Sequence, residues 1–66
     1  AVTALNLTES TVSCHGFVTF AASAPTVSIT GFAKTAGDDI TAAKASEVWE
    51  FDCLDGYIIW KNWSAV

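Results

Sequence analysis

Apolar and polar residues alternate with a period of two along most of this chain, in short runs separated by turn-forming residues. That is the pattern of half-buried β-strands rather than of helices. From Val12 to Ala22 one face reads Val12, Cys14, Val18 and Phe20, and the other Ser13, His15, Phe17 and Thr19. Pro25 ends this run. Residues 26 to 34 set Val27, Ile29, Gly31 and Ala33 against Thr26, Ser28, Thr30, Phe32 and Lys34, stopped by Ala36-Gly37-Asp38. Glu47 to Cys53 alternates most sharply, with Trp49, Phe51 and Cys53 opposed to Glu50 and Asp52, and Tyr57 to Trp63 forms a last strong strand. Ahead of them, Leu5 and Leu7 share a face in residues 3 to 8, so that residues 1–11 read as an N-terminal strand or arm. Asp38 to Ser46 carries alanines that favour helix, but it is short for an isolated helix and is read as a strand.

Asp55-Gly56 between two apolar-rich runs suits a two-residue type I′ hairpin, whose central residues both need positive φ. That turn sets the register, because paired residue numbers must then sum to a constant. Leu54 faces Tyr57, Phe51 faces Trp60, Glu50 faces Lys61 and Val48 faces Trp63. One face of the hairpin then carries Phe51, Cys53, Ile58 and Trp60, and the other Asp52, Tyr57, Ile59 and Trp63. Both faces are apolar. Either a further layer, such as the N-terminal strand, covers the second face, or Tyr57, Ile59 and Trp63 form a surface for a protein partner.

At 66 residues and 7.0 kDa the chain holds one domain, residues 1–66. Seven acidic residues against three lysines give a net charge of −4, which disfavours nucleic acid and anionic membrane surfaces. No apolar run approaches the roughly 18 residues of a membrane span. The fold expected is all-β, a small six-stranded antiparallel β-sandwich or barrel. So small a core gains much from a staple. A disulfide between Cys14 and Cys53 would close a loop of about 39 residues and stabilise the fold by about 4 kcal/mol, the other reading being two buried thiols. A disulfide implies an oxidising, extracellular location. A start at Ala1 without Met fits a processed secreted chain. The sequons Asn6-Leu7-Thr8 and Asn62-Trp63-Ser64 make Asn6 and Asn62 candidate glycosylation sites, Asn62 the poorer because of the bulky Trp63.

No constellation supports catalysis. Cys14 and His15 are neighbours on a strand and point to opposite faces, so they cannot act as nucleophile and base. No strained nucleophile turn surrounds a serine, which leaves Ser13 and His15 as solvated residues. One histidine and the acidic pairs lack metal-ligand spacing, and neither a metal nor a cofactor is expected. The chain is therefore read as a non-enzyme.

The segment Val48-Trp49-Glu50-Phe51-Asp52-Cys53-Leu54-Asp55-Gly56-Tyr57-Ile58-Ile59-Trp60, with Cys14 in the first strong strand, resembles the ToxB-like, or MAX, effectors secreted by plant-pathogenic fungi. The resemblance spans about Val12 to Trp63 and rests on strand order and cysteine placement. It implies a six-stranded β-sandwich, a disulfide from the first strand to the region before the fifth, and a secreted virulence effector that binds a host protein through a sheet edge or surface. Only Cys14 and Cys53 carry over residue by residue. A second function class is a subunit of an extracellular fibre or oligomer, in which the N-terminal arm adds a strand to another copy of the chain. A toxin or inhibitor acting through the aromatic surface is a third.

Overall fold

The computed structural model describes residues 1–7 and 13–65. Among these residues six strands form, β1 (Ala4–Leu7), β2 (Cys14–Thr19), β3 (Thr26–Ile29), β4 (Lys34–Gly37), β5 (Val48–Leu54) and β6 (Tyr57–Asn62), with short 3-10 turns at Ile40–Ala42 and Trp63–Ala65. They make two sheets, one in the order β2-β5-β6-β4 and one of β1 with β3. The all-β expectation holds, and the sheets do not close into a barrel.

The β5-β6 hairpin follows from its turn. Asp55 and Gly56 sit at φ 48° and 81°, as a type I′ turn requires. Leu54 pairs with Tyr57, Phe51 with Trp60 and Glu50 with Lys61. The expected Val48–Trp63 pair does not form. The Val48 N–H is taken by the Ser64 hydroxyl (2.9 Å), so β6 stops at Asn62 opposite Trp49 and the chain turns away.

The strands are not all antiparallel, which corrects the sequence reading. β2-β5 and β5-β6 are antiparallel, but β1 runs parallel to β3 and β4 parallel to β6. Residues 26 to 34 are not one strand, because Gly31 turns at φ 82° and β4 begins only at Lys34. Gly37, at φ 83°, closes β4 where a Cβ would strike the Trp60 carbonyl oxygen, so only glycine fits there. Residues 38 to 46 are not a strand either. The Asp39 carboxylate accepts the Thr41 N–H (3.0 Å) and caps a single 3-10 turn that drives Ile40 into the core. An N-cap of this kind favours a helical turn over extended backbone.

The core lies between the sheets. Val18, Phe20, Ile40, Trp49, Cys53, Ile58 and Trp60 are buried, and Leu5, Leu7, Val27 and Ile29 of the parallel pair pack against them. The ring of Phe51 covers Gly16 across the ladder, its Cζ 2.8 Å from where a Cβ would stand. Phe51 also lies against Trp60 with ring centroids 5.6 Å apart, and Trp49 meets Trp60 edge-on at 6.3 Å. Val12, Thr8 and the break expected at Glu9-Ser10 lie outside the described residues. Among those described, no helix is long and apolar enough to cross a membrane.

Candidate functional site

Because β1 packs on the inner side of the large sheet, it does not cover the outer side. Phe17, Leu54, Tyr57, Ile59 and Trp63 each keep 45–61% of their surface in solvent. Their placement follows from strand alternation combined with register. In one row across the sheet Phe17 stands opposite Glu50, and Glu50 opposite Lys61; in the next, His15, Asp52, Ile59 and Ala36 line up; Leu54 faces Tyr57, and Tyr57 faces Lys34. Tyr57 and Ile59 thus fall where the hairpin register put them. Trp63 shares the surface from the 3-10 turn after β6 rather than from the strand itself.

Glu50 organises this face. Its carboxylate takes hydrogen bonds from His15 Nε2 and from Trp63 Nε1, the latter at 2.9 Å. The sequence pairs Glu50 with Lys61, and the two are register partners, but Lys61 sends its Nζ over the Trp63 ring instead, 5.2 Å from the centroid. The bond from His15, followed by that from Trp63, holds the Glu50 carboxyl below its ordinary value. His15 is exposed, as expected, but it is not merely solvated, since it also meets the Phe17 ring edge-on at 5.6 Å. The Glu50–His15 and Glu50–Trp63 contacts were not legible in the sequence.

A cleft of about 380 Å³ at one end is lined by Asp38, Asp39, Ala42, Lys44, Glu47, Trp49 and Asn62. Its polar groups are engaged with one another. Glu47 accepts the Lys44 backbone N–H (2.6 Å), Trp49 Nε1 (3.2 Å) and Asn62 Nδ2 (3.2 Å), and Asp38 accepts the Asn62 N–H (2.7 Å). The Lys44 N–H is the main cause of a Glu47 carboxyl held below its ordinary value. These carboxylates tie the loop 38–47 to the end of β6, a structural task. No group of three or more metal-ligating side chains occurs among the described residues.

Of the two sequons, Asn6 is exposed on β1, although its Thr8 lies outside the described residues. Asn62 is half-buried, and its amide nitrogen is occupied by Glu47. Cys14 and Cys53 come directly opposite each other on β2 and β5. No protein-family model matches this chain, and comparison with curated proteins and with solved structures finds no match.

Proposed function

We propose that this chain is a secreted, non-enzymatic effector that binds a host protein through the outer face of its four-stranded sheet, with Tyr57, Ile59 and Trp63 as the centre of contact and Phe17 and Leu54 at its margins. One observation carries the reading. Five large apolar side chains stand exposed together on the outer side of the large sheet, which no other layer among the described residues covers, and apolar patches of this kind mark interaction sites. Aromatic residues supply much of the energy at such contacts. Glu50 pre-positions the Trp63 indole, which lowers the ordering cost of binding. Asp52 and Asp55 flank the patch, so a basic or mixed partner surface is favoured, with association slowed by salt. Secretion and a host target come from the resemblance to the ToxB-like effectors, and the six-stranded sandwich arrangement belongs to the same reading.

The Cys14–Cys53 disulfide is part of this proposal. Directly opposed residues of an antiparallel pair have Cα atoms about 4.5 or 5.5 Å apart, and both separations fall within the disulfide range. The intact mass should be lower by two hydrogens than that of the reduced chain. Assembly by strand addition of the N-terminal arm draws less support, because β1 is paired with β3 and its Leu5 and Leu7 pack on the core. The test of the main reading is affinity capture from host tissue with the native chain and with a Tyr57→Ser/Ile59→Asp double variant of equal thermal stability. A partner held by the first, lost by the second and rebound by the purified native chain supports it. A partner retained by the double variant removes this face from the proposal.

A further inference from the structure

The six-residue strand β2 forms one edge of the large sheet. Its hydrogen-bonding parity is set by the bond from the Phe20 N–H to the Glu47 carbonyl (2.9 Å). Residues 14, 16 and 18 therefore direct their backbone groups to β5, and residues 15, 17 and 19 direct theirs away from the sheet. The N-terminal segment already uses part of that outer side. Val2 bridges Phe20 in parallel, donating to the Thr19 carbonyl and accepting from the Ala21 N–H, both at 2.8 Å. What stays open is centred on Gly16. The outward N–H and C=O groups of His15 and Phe17 have no backbone partner among the described residues.

The other edges of the two sheets are short or guarded, as exposed edges usually are. β4 has four residues, starts at Lys34, is kinked at Gly37 and runs into Asp38-Asp39. β1 and β3 have four residues each, and Pro25 precedes β3. β2 is longer and carries no proline, lysine or carboxylate.

We propose that β2 pairs with β2 of a second copy of this chain, antiparallel about a two-fold axis at Gly16. In this register His15 of each copy faces Phe17 of the other, and their eight outward groups close four N–H···O bonds. Gly16 faces Gly16 at the non-hydrogen-bonded position, where Cα atoms approach to about 4.5 Å. The parity admits only registers two residues apart in sum. At Gly16 only Ser13, ahead of β2, reaches Thr19, so the pairing ends at Cys14; moving the axis to Phe17 sets His15 against Thr19, whose carbonyl Val2 already holds, and moving it to His15 sets the two histidines against each other. The Gly16 register instead repeats between copies the edge-on contact that His15 and Phe17 make within one.

Charge permits the seam. Each chain carries −4, but no carboxylate lies on β2. Glu50 of one copy lines up with Asp52 of the other, three strand spacings or about 14 Å away, which exceeds the screening length of about 8 Å at physiological salt. The seam buries less than the ~800 Å² per partner of a standard interface, so the dimer forms at high concentration. It also closes at two, because each copy spends β2 and the other edges among the described residues are short or guarded. The result is a continuous eight-stranded sheet that joins the two outer aromatic faces.

Sedimentation equilibrium over a concentration series reaching the millimolar range should show the mass rise from one chain to two and stop. Phe17→Pro should stay at one chain throughout, with the near-ultraviolet signal of Trp49 and Trp60 unchanged, because the Phe17 N–H is not used within the sheet and proline is tolerated there. In the unmodified chain, hydrogen exchange at the His15 and Phe17 amides should slow as concentration rises. That readout decides the matter should the proline variant fail to fold. A single chain at every concentration overturns the proposal, as does mass growing past two. A dimer abolished by Tyr57→Ser/Ile59→Ser and kept by Phe17→Pro overturns it as well, in favour of face-to-face packing.

Discussion

The two faces of the four-stranded sheet differ less in composition than in what covers them. On the inner face Trp49, Ile58 and Trp60 are almost fully buried beneath Leu5, Leu7, Val27 and Ile29. On the outer face Phe17, Tyr57, Ile59 and Trp63 are as large and as apolar but remain in water. Beyond the large sheet the described residues hold two further strands, which suffice for one side. The inner face therefore carries stability, and the outer face is left in water. Polar chemistry divides the same way, with Glu50, His15 and Lys61 interleaved among the outer aromatics and no buried charged residue among those described.

The largest effect that would break this contrast is expected inside. Trp60→Ala should cost about 3–5 kcal/mol in chemical denaturation and should couple to Phe51→Ala in a double-mutant cycle, since the rings touch. Trp60→Phe should cost much less. The Trp60 Nε1 is buried without a hydrogen-bond partner, so removing it recovers a desolvation cost of about 1–3 kcal/mol. Reducing the proposed Cys14–Cys53 disulfide should destabilise by about 2–5 kcal/mol, seen as a lower melting temperature with reductant and no change without it. Gly37→Ala should cost at least about 2 kcal/mol, from positive φ together with the Trp60 carbonyl in its path.

Smaller effects belong outside. Glu50 is held below the ordinary 4.5 by His15 and then Trp63. A carboxyl depressed in the folded state contributes stability above its unfolded value and loses it as pH falls through the folded one. Stability should thus decline in acid below about pH 4.5, and Glu50→Gln should flatten that decline when melting temperature is followed against pH. Smallest of all, Ile59→Thr should shift stability by about 0.5 kcal/mol or less, because it touches only the uncovered face. A loss near that of Trp60→Ala would mean that the outer face is core after all.

Much of this was readable from particular residues. Asp55-Gly56 determined the β5-β6 register, since a two-residue turn leaves the flanking strands no freedom to slide. Period-2 alternation then sorted Phe51, Cys53, Ile58 and Trp60 from Asp52, Tyr57 and Ile59, a local geometric fact. The antiparallel assignment failed at β1-β3 and β4-β6, and the strand expected over 38 to 46 failed at Ile40. Parallel partners join segments far apart in the chain, and no turn signal records them. The Asp39 cap acts only with Ile40 anchored in the core.

The sequence by itself therefore determined the all-β class, the hairpin register and the existence of two apolar faces, because these depend on backbone alternation and one turn. Only the tertiary structure decided which face is covered, that Glu50 turns to His15 and Trp63, and that Val2 leaves β2 open around Gly16. Each of those is a choice among partners distant in the chain. It is settled by how few strands are available to bury so many large side chains.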